Sequence, residues 1–346
     1  MKRFTRWLSY SILLACSVTA RAEDAAWTAQ LEARLEALDR ETPGELGVWV
    51  KSLADGAQAG HRADRAYYLS STIKVPVAIV VLKKVETGAV SLDQELTLQA
   101  SDIVDGTGEI QGQQPGAQLS VAYLLEKMLV QSDSTAADML IRLVGVEQLN
   151  DFLKQYGFGP ATTILQVRYD AYGELHPRAR ELTNMDYHEI RQAGAWEARQ
   201  RVFAEKVGVS PAELEAPSLT EAFERYYRRG LNSASLVVFG ELLEKLVKGS
   251  LLSEHNTALV LRHMEAITTG DHRIRAGLPK EVRFAHKTGT QIRRMCNMGV
   301  AQPQSPDAVI IAACVEGYPS ESEAEALLER VGKAVADSGV LGSSGP

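Results

Sequence analysis

Apolar residues recur along this chain at two spacings, and the switch between them marks out its elements. Leu31, Leu35 and Leu38 share one face of Trp27–Asp39, which predicts an amphipathic helix. Gly47–Leu53 alternates as a strand, Ala54-Asp55-Gly56 marks a turn, and Ala57–His61 supplies a returning strand. Tyr68–Leu82 opens with Ser70, Ser71 and Thr72 and runs apolar from Val75. That profile predicts a helix with its first turn on a cleft and its body buried. Gly88 is placed to cap its end. Leu92–Gln114 reads as irregular, punctuated by Gly106-Thr107-Gly108 and followed by Pro115-Gly116. After Ser120, the residues Val121, Leu124, Leu125, Met128 and Leu129 share a helical face. Ser132-Asp133-Ser134 interrupts the pattern before Ala136–Val144 resumes it, so Ser132 is expected in a short loop between two buried helices. Val146–Tyr156 is a further helix, closed by Gly157.

Periodicity weakens from Thr162 to about Gly230, where Val202–Val207 and Leu219–Tyr227 still read as helices. This span is too long for an ordinary loop. Residues 185–230 are expected to be an insertion or extended lid near the site, with a solvated surface extension as the alternative. Asn232–Ser235 caps a helix over Leu236–Lys248, and Glu254–Ala266 is another. Val282–Thr290, Met295–Gln302 and Ala308–Gly317 form an antiparallel meander, and Ala324–Ala336 is a closing helix. Residues 338–346 read as a flexible tail. Strands at both ends around a helical block predict a mixed α/β (α+β) fold, with one antiparallel sheet combining the N- and C-terminal segments beside the central helices.

Composition adds boundaries. With 346 residues, 45% of them hydrophobic, the chain can bury a large core. Its net charge of −7, without a basic patch, sets nucleic-acid binding aside. Lys2, Arg3 and Arg6 precede a mostly apolar stretch to Ala20, and Ala20-Arg21-Ala22 offers small residues for cleavage. Residues 1–22 therefore read as a signal peptide, and the mature chain as periplasmic or secreted. Leu13-Leu14-Ala15-Cys16 is the competing lipoprotein reading. No other apolar run is long enough to span a bilayer. Cys296 and Cys314 then remain, facing each other across the Gln302–Asp307 turn; they are expected to be two buried thiols, with a cross-strand disulfide as the alternative.

The chemistry starts at Ser71 and Lys74. Three apart on a helix, they lie on one face, and an amine whose charge burial disfavours can take a serine's proton. Unpartnered N–H groups at a helix start favour negative charge developing there. A lone Ser-x-x-Lys is common, but here Ser132-Asp133-Ser134 and His286-Lys287-Thr288-Gly289-Thr290 follow in order. This ordered set belongs to class A β-lactamases and penicillin-binding proteins. The chain resembles class A serine β-lactamases. Thr268–Pro279, Asn232–Ser235, Leu242–Leu246 and Gly249–Ser253 match as flanks, and the resemblance runs over about Leu46–Val335.

The resemblance implies a nucleophile, Ser71, with Lys74 as its base or proton relay. It implies that Ser132 passes a proton to the leaving nitrogen and that Lys287 supports Ser132 and the substrate carboxylate. Thr288 and Thr290 bind that carboxylate beside Gly289, helped by Arg273, with Arg275 as the other candidate. The N–H groups of Ser71 and Thr290 form the oxyanion hole. Three departures stand out. Ser134 replaces the usual Asn, so this substrate-binding position loses an amide. His286 stands where many relatives carry an acid; it is expected to pack, with titration near neutrality as the alternative. The Glu-x-x-Leu-Asn segment that supplies the deacylating Glu has only Arg178–Asn184 as its counterpart, with Arg180 at the Glu position if Asn184 is the family Asn. Glu181 is taken as the base, with Glu174 as another candidate. The expected function is β-lactam hydrolysis through a Ser71 acyl-enzyme. The alternatives are a D,D-peptidase-like enzyme that acylates and deacylates slowly, or a non-catalytic sensor that binds β-lactams or peptidoglycan. The implied substrate is a small β-lactam or a peptidoglycan stem-peptide-like molecule, with no metal, no cofactor and a monomeric state. The scattered histidines form no His-x-His or His-x-x-x-His pair.

Overall fold

The computed structural model describes residues 27–342. The expected signal peptide, Cys16 and the last four residues of the tail lie outside them. Helix α1 spans residues 27–41 and leads into strands β1 (Glu45–Ser52), β2 (Gln58–His61) and β3 (Ala66–Tyr68). A 3₁₀ turn, Ser70–Ile73, runs directly into helix α2 (Lys74–Glu86). The segment expected to be irregular holds β4 (Glu95–Thr97) and precedes β5 (Gln118–Ser120). Helices α3 (Val121–Val130), α4 (Ser134–Val144) and α5 (Val146–Gln155) follow.

The weakly periodic span is helical: α6 (Ile164–Gly173), α7 (Asn184–Gln192), α8 (Trp196–Val207) and α9 (Leu219–Tyr227). Its pattern is hard to read because α6 buries Arg168 and Asp170 beside Val167 and Ala171, which breaks the apolar stripe. The short strand β6 (Ser233–Ser235) pairs with β3. Then come α10 (Leu236–Val247), α11 (Glu254–Glu265), the single turn α12 (Ile274–Gly277), strands β7 (Phe284–Gln291), β8 (Arg294–Ala301) and β9 (Val309–Glu316), and α13 (Glu321–Asp337). Beyond α13, Leu341 is buried against the cluster that holds α13.

The main sheet runs β2-β1-β9-β8-β7, antiparallel throughout, so the two chain ends share it as expected. Both faces are covered. Val309, Ile311, Ala313 and Val315 of β9 face a cluster with α1 and α13, while Ile310, Ala312 and Cys314 face the helical block. That two-sided burial explains why β9 reads as one continuous apolar run. A third cluster, including Tyr172, Phe203, Phe223 and Tyr226, holds α6, α8 and α9 together against Tyr68. Cys296 and Cys314 correct the expectation of free thiols: they form a disulfide. The β8–β9 register places them directly opposite, with their Cα atoms 4.1 Å apart. Burial alone does not discriminate, since it accompanies thiols and disulfides alike.

Candidate active site

The site lies where the Ser70–Ile73 turn, the α3–α4 junction and β7 meet around a cavity of about 430 Å³, within the usual range for small-molecule sites. The helix beginning at Lys74 is buried along Val75–Leu82, so the turn before it is held by the core and Ser71 remains half-exposed on the cavity wall. Strand β7 passes close to this turn because residue 289 lacks a side chain. A Cβ on Gly289 would sit 2.5 Å from the Leu69 carbonyl oxygen and 3.0 Å from the Ser71 nitrogen. Ser70, Ser132 and Asn232 all line the cavity with positive φ, at 50°, 57° and 47°. Non-glycine residues rarely adopt that conformation, and surrounding packing must hold it.

Ser132 sits in the turn between α3 and α4, its hydroxyl shared by two amines. Lys287 Nζ donates to Ser132 Oγ at 2.9 Å and Lys74 Nζ approaches the same oxygen at 3.3 Å. Lys74 also donates to the Ser132 carbonyl. Burial pushes the Lys74 amine down to about 8, against the opposing pull of Asp133 and Asp138. Burial, with the Lys74 and Arg273 charges, lowers Lys287 well below the usual lysine value. Both amines therefore give up a proton more readily than an ordinary lysine, which suits them to moving protons.

The Gly106–Gly108 loop braces this junction. Thr107 Oγ1 donates to the Ser132 carbonyl at 2.6 Å, and the Ser134 amide donates to the Thr107 carbonyl at 2.9 Å. A Cβ at Gly106 would lie 2.1 Å from Ser134 Oγ, so the loop and the shorter Ser134 side chain fit one another. Asp133 caps α4 through the Ala136 amide at 2.8 Å and also accepts the Ile110 amide at 2.9 Å.

On the β7 side, Thr288 Oγ1 lies 2.6 Å from Thr269 Oγ1, and Arg273 Nη2 donates to Thr290 Oγ1 at 2.8 Å. Arg273 is buried and tied to Glu325 at 3.3 Å. Arg275 instead donates to the carbonyls of Leu278, Pro279 and Lys280, away from the cavity lining. His286 packs against Phe284, with ring centroids 4.7 Å apart. Burial, then the charges of Lys287, Arg273 and Arg275, push His286 down to about 3, so it is neutral near pH 7.

Ser71, Lys74, Ser132, Ser134, Thr288, Thr290 and Arg273 thus line one cavity, with Lys287 and Gly289 buried directly behind it. Glu181 does not join them. It ends a 3₁₀ turn, Pro177–Glu181, with a 61% exposed side chain paired to Arg178 at 2.9 Å. Glu174 caps the end of α6 and is also absent from the cavity lining. Arg180 pairs with Asp170 at 3.2 Å, and Asn184 Nδ2 reaches the carbonyls of Ala100 and Ile103. The cause is α6 itself: Ile164, Val167, Arg168 and Tyr172 of that helix form the wall, and the Arg178–Asn184 segment follows it without reaching the cavity.

Three residues escape sequence reasoning. Asp138 in α4 accepts the Ile164 and Leu165 amides at 2.7 and 3.2 Å. Burial raises its carboxyl to about 7. A single acid in the apolar Ala136–Val144 run is the available signal. Asp105 and Arg168, paired at 2.6 Å across the cavity wall, give none because they are 63 residues apart in sequence. Among the described residues no group of His, Cys, Asp and Glu is clustered to hold a metal.

The beta-lactamase enzyme family model matches residues 30–338. The chain belongs to that family. A β-lactamase of Proteus vulgaris is 25% identical over 260 residues, covering 75% of this chain and 69% of its own. The β-lactamase OXY-2 of Klebsiella oxytoca is 25% identical over 287 residues, covering 82% and 80%. Among solved structures, a β-lactamase of Xanthomonas campestris superposes with a TM-score of 0.66 at 22% identity, over 90% of this chain and 98% of its own. A mutant of PBP-A, in an acyl-enzyme complex with penicillin G, gives a TM-score of 0.66 at 21% identity, over 90% and 96%. These likenesses establish the β-lactamase fold, and within it this family member presents Ile164 and Val167 on the wall beside its serine.

Proposed function

We propose that this family member is a serine hydrolase that forms an acyl-enzyme on Ser71 with β-lactams or stem-peptide-like amides, and that it releases the acyl group slowly. Lys74, with its pKa near 8, takes the Ser71 proton as Oγ attacks the carbonyl carbon. The Ser71 and Thr290 N–H groups receive the oxyanion. On collapse the C–N bond breaks, and Ser132 passes its proton to the leaving nitrogen. Ser132 recovers that proton from Lys74 or Lys287, both within reach of its oxygen. Thr288, Thr290 and Arg273 hold the substrate carboxylate.

The observation that carries slow release is the cavity lining. Asp105 and Glu321 are the only carboxylates among the described residues that line it; Asp105 is committed to Arg168, and Glu321 stands at the start of α13 on the Arg273 side, not on the α6 wall. A water attacking the ester needs a base within hydrogen-bond reach. The wall from α6 presents Ile164 and Val167 instead. This favours the D,D-peptidase-like reading over rapid β-lactam hydrolysis. The test is labelling with a fluorescent penicillin, compared between the native protein and Ser71→Ala. Stoichiometric label that Ser71→Ala abolishes, with unchanged circular dichroism, supports the proposal. Unlabelled native protein, or label that survives Ser71→Ala, contradicts it.

A further inference from the structure

The cavity has a second cationic wall that the acylation chemistry does not use. Helices α7 and α8 contribute Arg191 and Arg199, both half-buried on its lining. Arg199 stacks over Trp196, with its guanidinium carbon 4.2 Å from the ring centroid, and donates through Nε to the Gly194 carbonyl at 2.7 Å. Its position is therefore fixed, with its terminal nitrogens left over. Arg191 makes no side-chain hydrogen bond and no ion pair among the described residues. Desolvation and the Arg168 and Arg199 charges disfavour its cation, opposed chiefly by Asp105. Asp105, however, already hydrogen-bonds Arg168. So Arg168 is neutralised by its partner, whereas Arg191 and Arg199 leave a positive excess on this wall. Tyr172 and Phe223 supply apolar surface beside it.

A half-buried, unpartnered guanidinium in a preformed cavity costs stability, and an anion seated there would offset that cost. The first carboxylate position, at Thr288, Thr290 and Arg273, is built on β7 and the segment before it, so the two cationic regions belong to different elements. We propose that Arg191, supported by Arg199 on Trp196, forms a second anion subsite that selects substrates whose acyl side chain carries its own carboxylate. This deepens the acyl-enzyme reading above and rests on it. The preferred substrate is a dianion: one carboxylate held by the β7 wall, the other by the α7–α8 wall, with the scissile amide between them.

The test compares two penicillins. Carbenicillin is benzylpenicillin with one added carboxylate on the side-chain carbon next to the amide. Binding of each to full-length Ser71→Ala protein is measured by calorimetry, so that chemistry does not intervene. The subsite predicts carbenicillin binding about tenfold tighter, loss of that preference in Arg191→Gln, and partial retention in Arg191→Lys. Both penicillins must bind Arg191→Gln, and benzylpenicillin with nearly unchanged affinity. Equal affinities in the Arg191-containing protein, or a preference that survives Arg191→Gln, overturn the subsite alone. If neither penicillin binds, the subsite and the β-lactam reading both fall.

Discussion

The two walls of the cavity are built on different principles. The wall around Ser71, Ser132 and β7 is closed: Lys74 and Lys287 converge on one hydroxyl, Gly289 brings β7 against the Ser71 turn, and Thr107 of the Gly106–Gly108 loop braces the Ser132 carbonyl at the cavity wall. The wall from α6 to α8 is open and mixed, with Ile164 and Val167 nearest its start and unspent arginines further along. Forming an acyl-enzyme needs the first wall, whereas removing it needs a base on the second. On the proposed reading, the contrast separates the two half-reactions: the first wall carries the groups for acylation, and the second offers Ile164 and Val167 where a water-activating base would stand.

Gly289→Ala is the hardest blow to the closed wall. The added methyl meets backbone at Leu69 and Ser71, so β7 must retreat from the oxyanion site. Acylation by benzylpenicillin should fall roughly 100- to 1000-fold, read by stopped-flow labelling. An undiminished rate would show that the close approach is dispensable. Ile164→Glu attacks the difference from the other side. It puts a carboxylate on the wall, on a residue whose amide Asp138 already holds at 2.7 Å. Adduct lifetime should shorten by roughly a hundredfold, read by intact mass against time.

Acylation should also follow the Lys74 titration. With its pKa lowered to about 8, the amine is mostly protonated at pH 6 and mostly free at pH 9. The rate should therefore rise about tenfold per pH unit below 8 and level off above it. Asp138 raises the Lys74 value, so Asp138→Asn should move the midpoint downward. A midpoint that stays in place would detach Asp138 from Lys74. The smallest effect on chemistry is expected from the disulfide. Cys296→Ala/Cys314→Ala removes a link across 18 residues, which should lower stability by about 3 kcal/mol in urea unfolding. Acylation of the folded variant should fall by less than about tenfold: neither cysteine lines the cavity, but Cys296 stands opposite Gly289 and its carbonyl accepts from Arg273, so a small coupled effect is expected.

The closed wall is readable in the sequence because its residues sit in short motifs on strongly periodic elements. Ser71, Lys74 and Ser132 flank helices whose apolar faces are unambiguous, and β7–β9 run between simple turns. The open wall is not readable in this way. Its helices are stabilised by buried polar pairs such as Arg168 with Asp105, whose partners lie far apart in sequence. Counting back from Asn184 lands on Arg180, and Glu181 is the nearest acid, one residue late. The helix α6 intervenes and leaves Glu181 on the surface. The Cys296–Cys314 pair shows the middle case, in which register is legible but oxidation state is not.

The central claim is that the acyl-enzyme forms readily and leaves slowly. Its most direct test is the lifetime of the benzylpenicillin adduct on the native protein, followed by intact-protein mass spectrometry after removal of free drug, with nitrocefin turnover on the same sample. The account predicts one adduct on Ser71 that persists over many minutes, with little more than one equivalent of nitrocefin consumed in that time. An adduct that disappears within seconds while nitrocefin turns over catalytically would contradict it, and would require a water-activating base on the open wall.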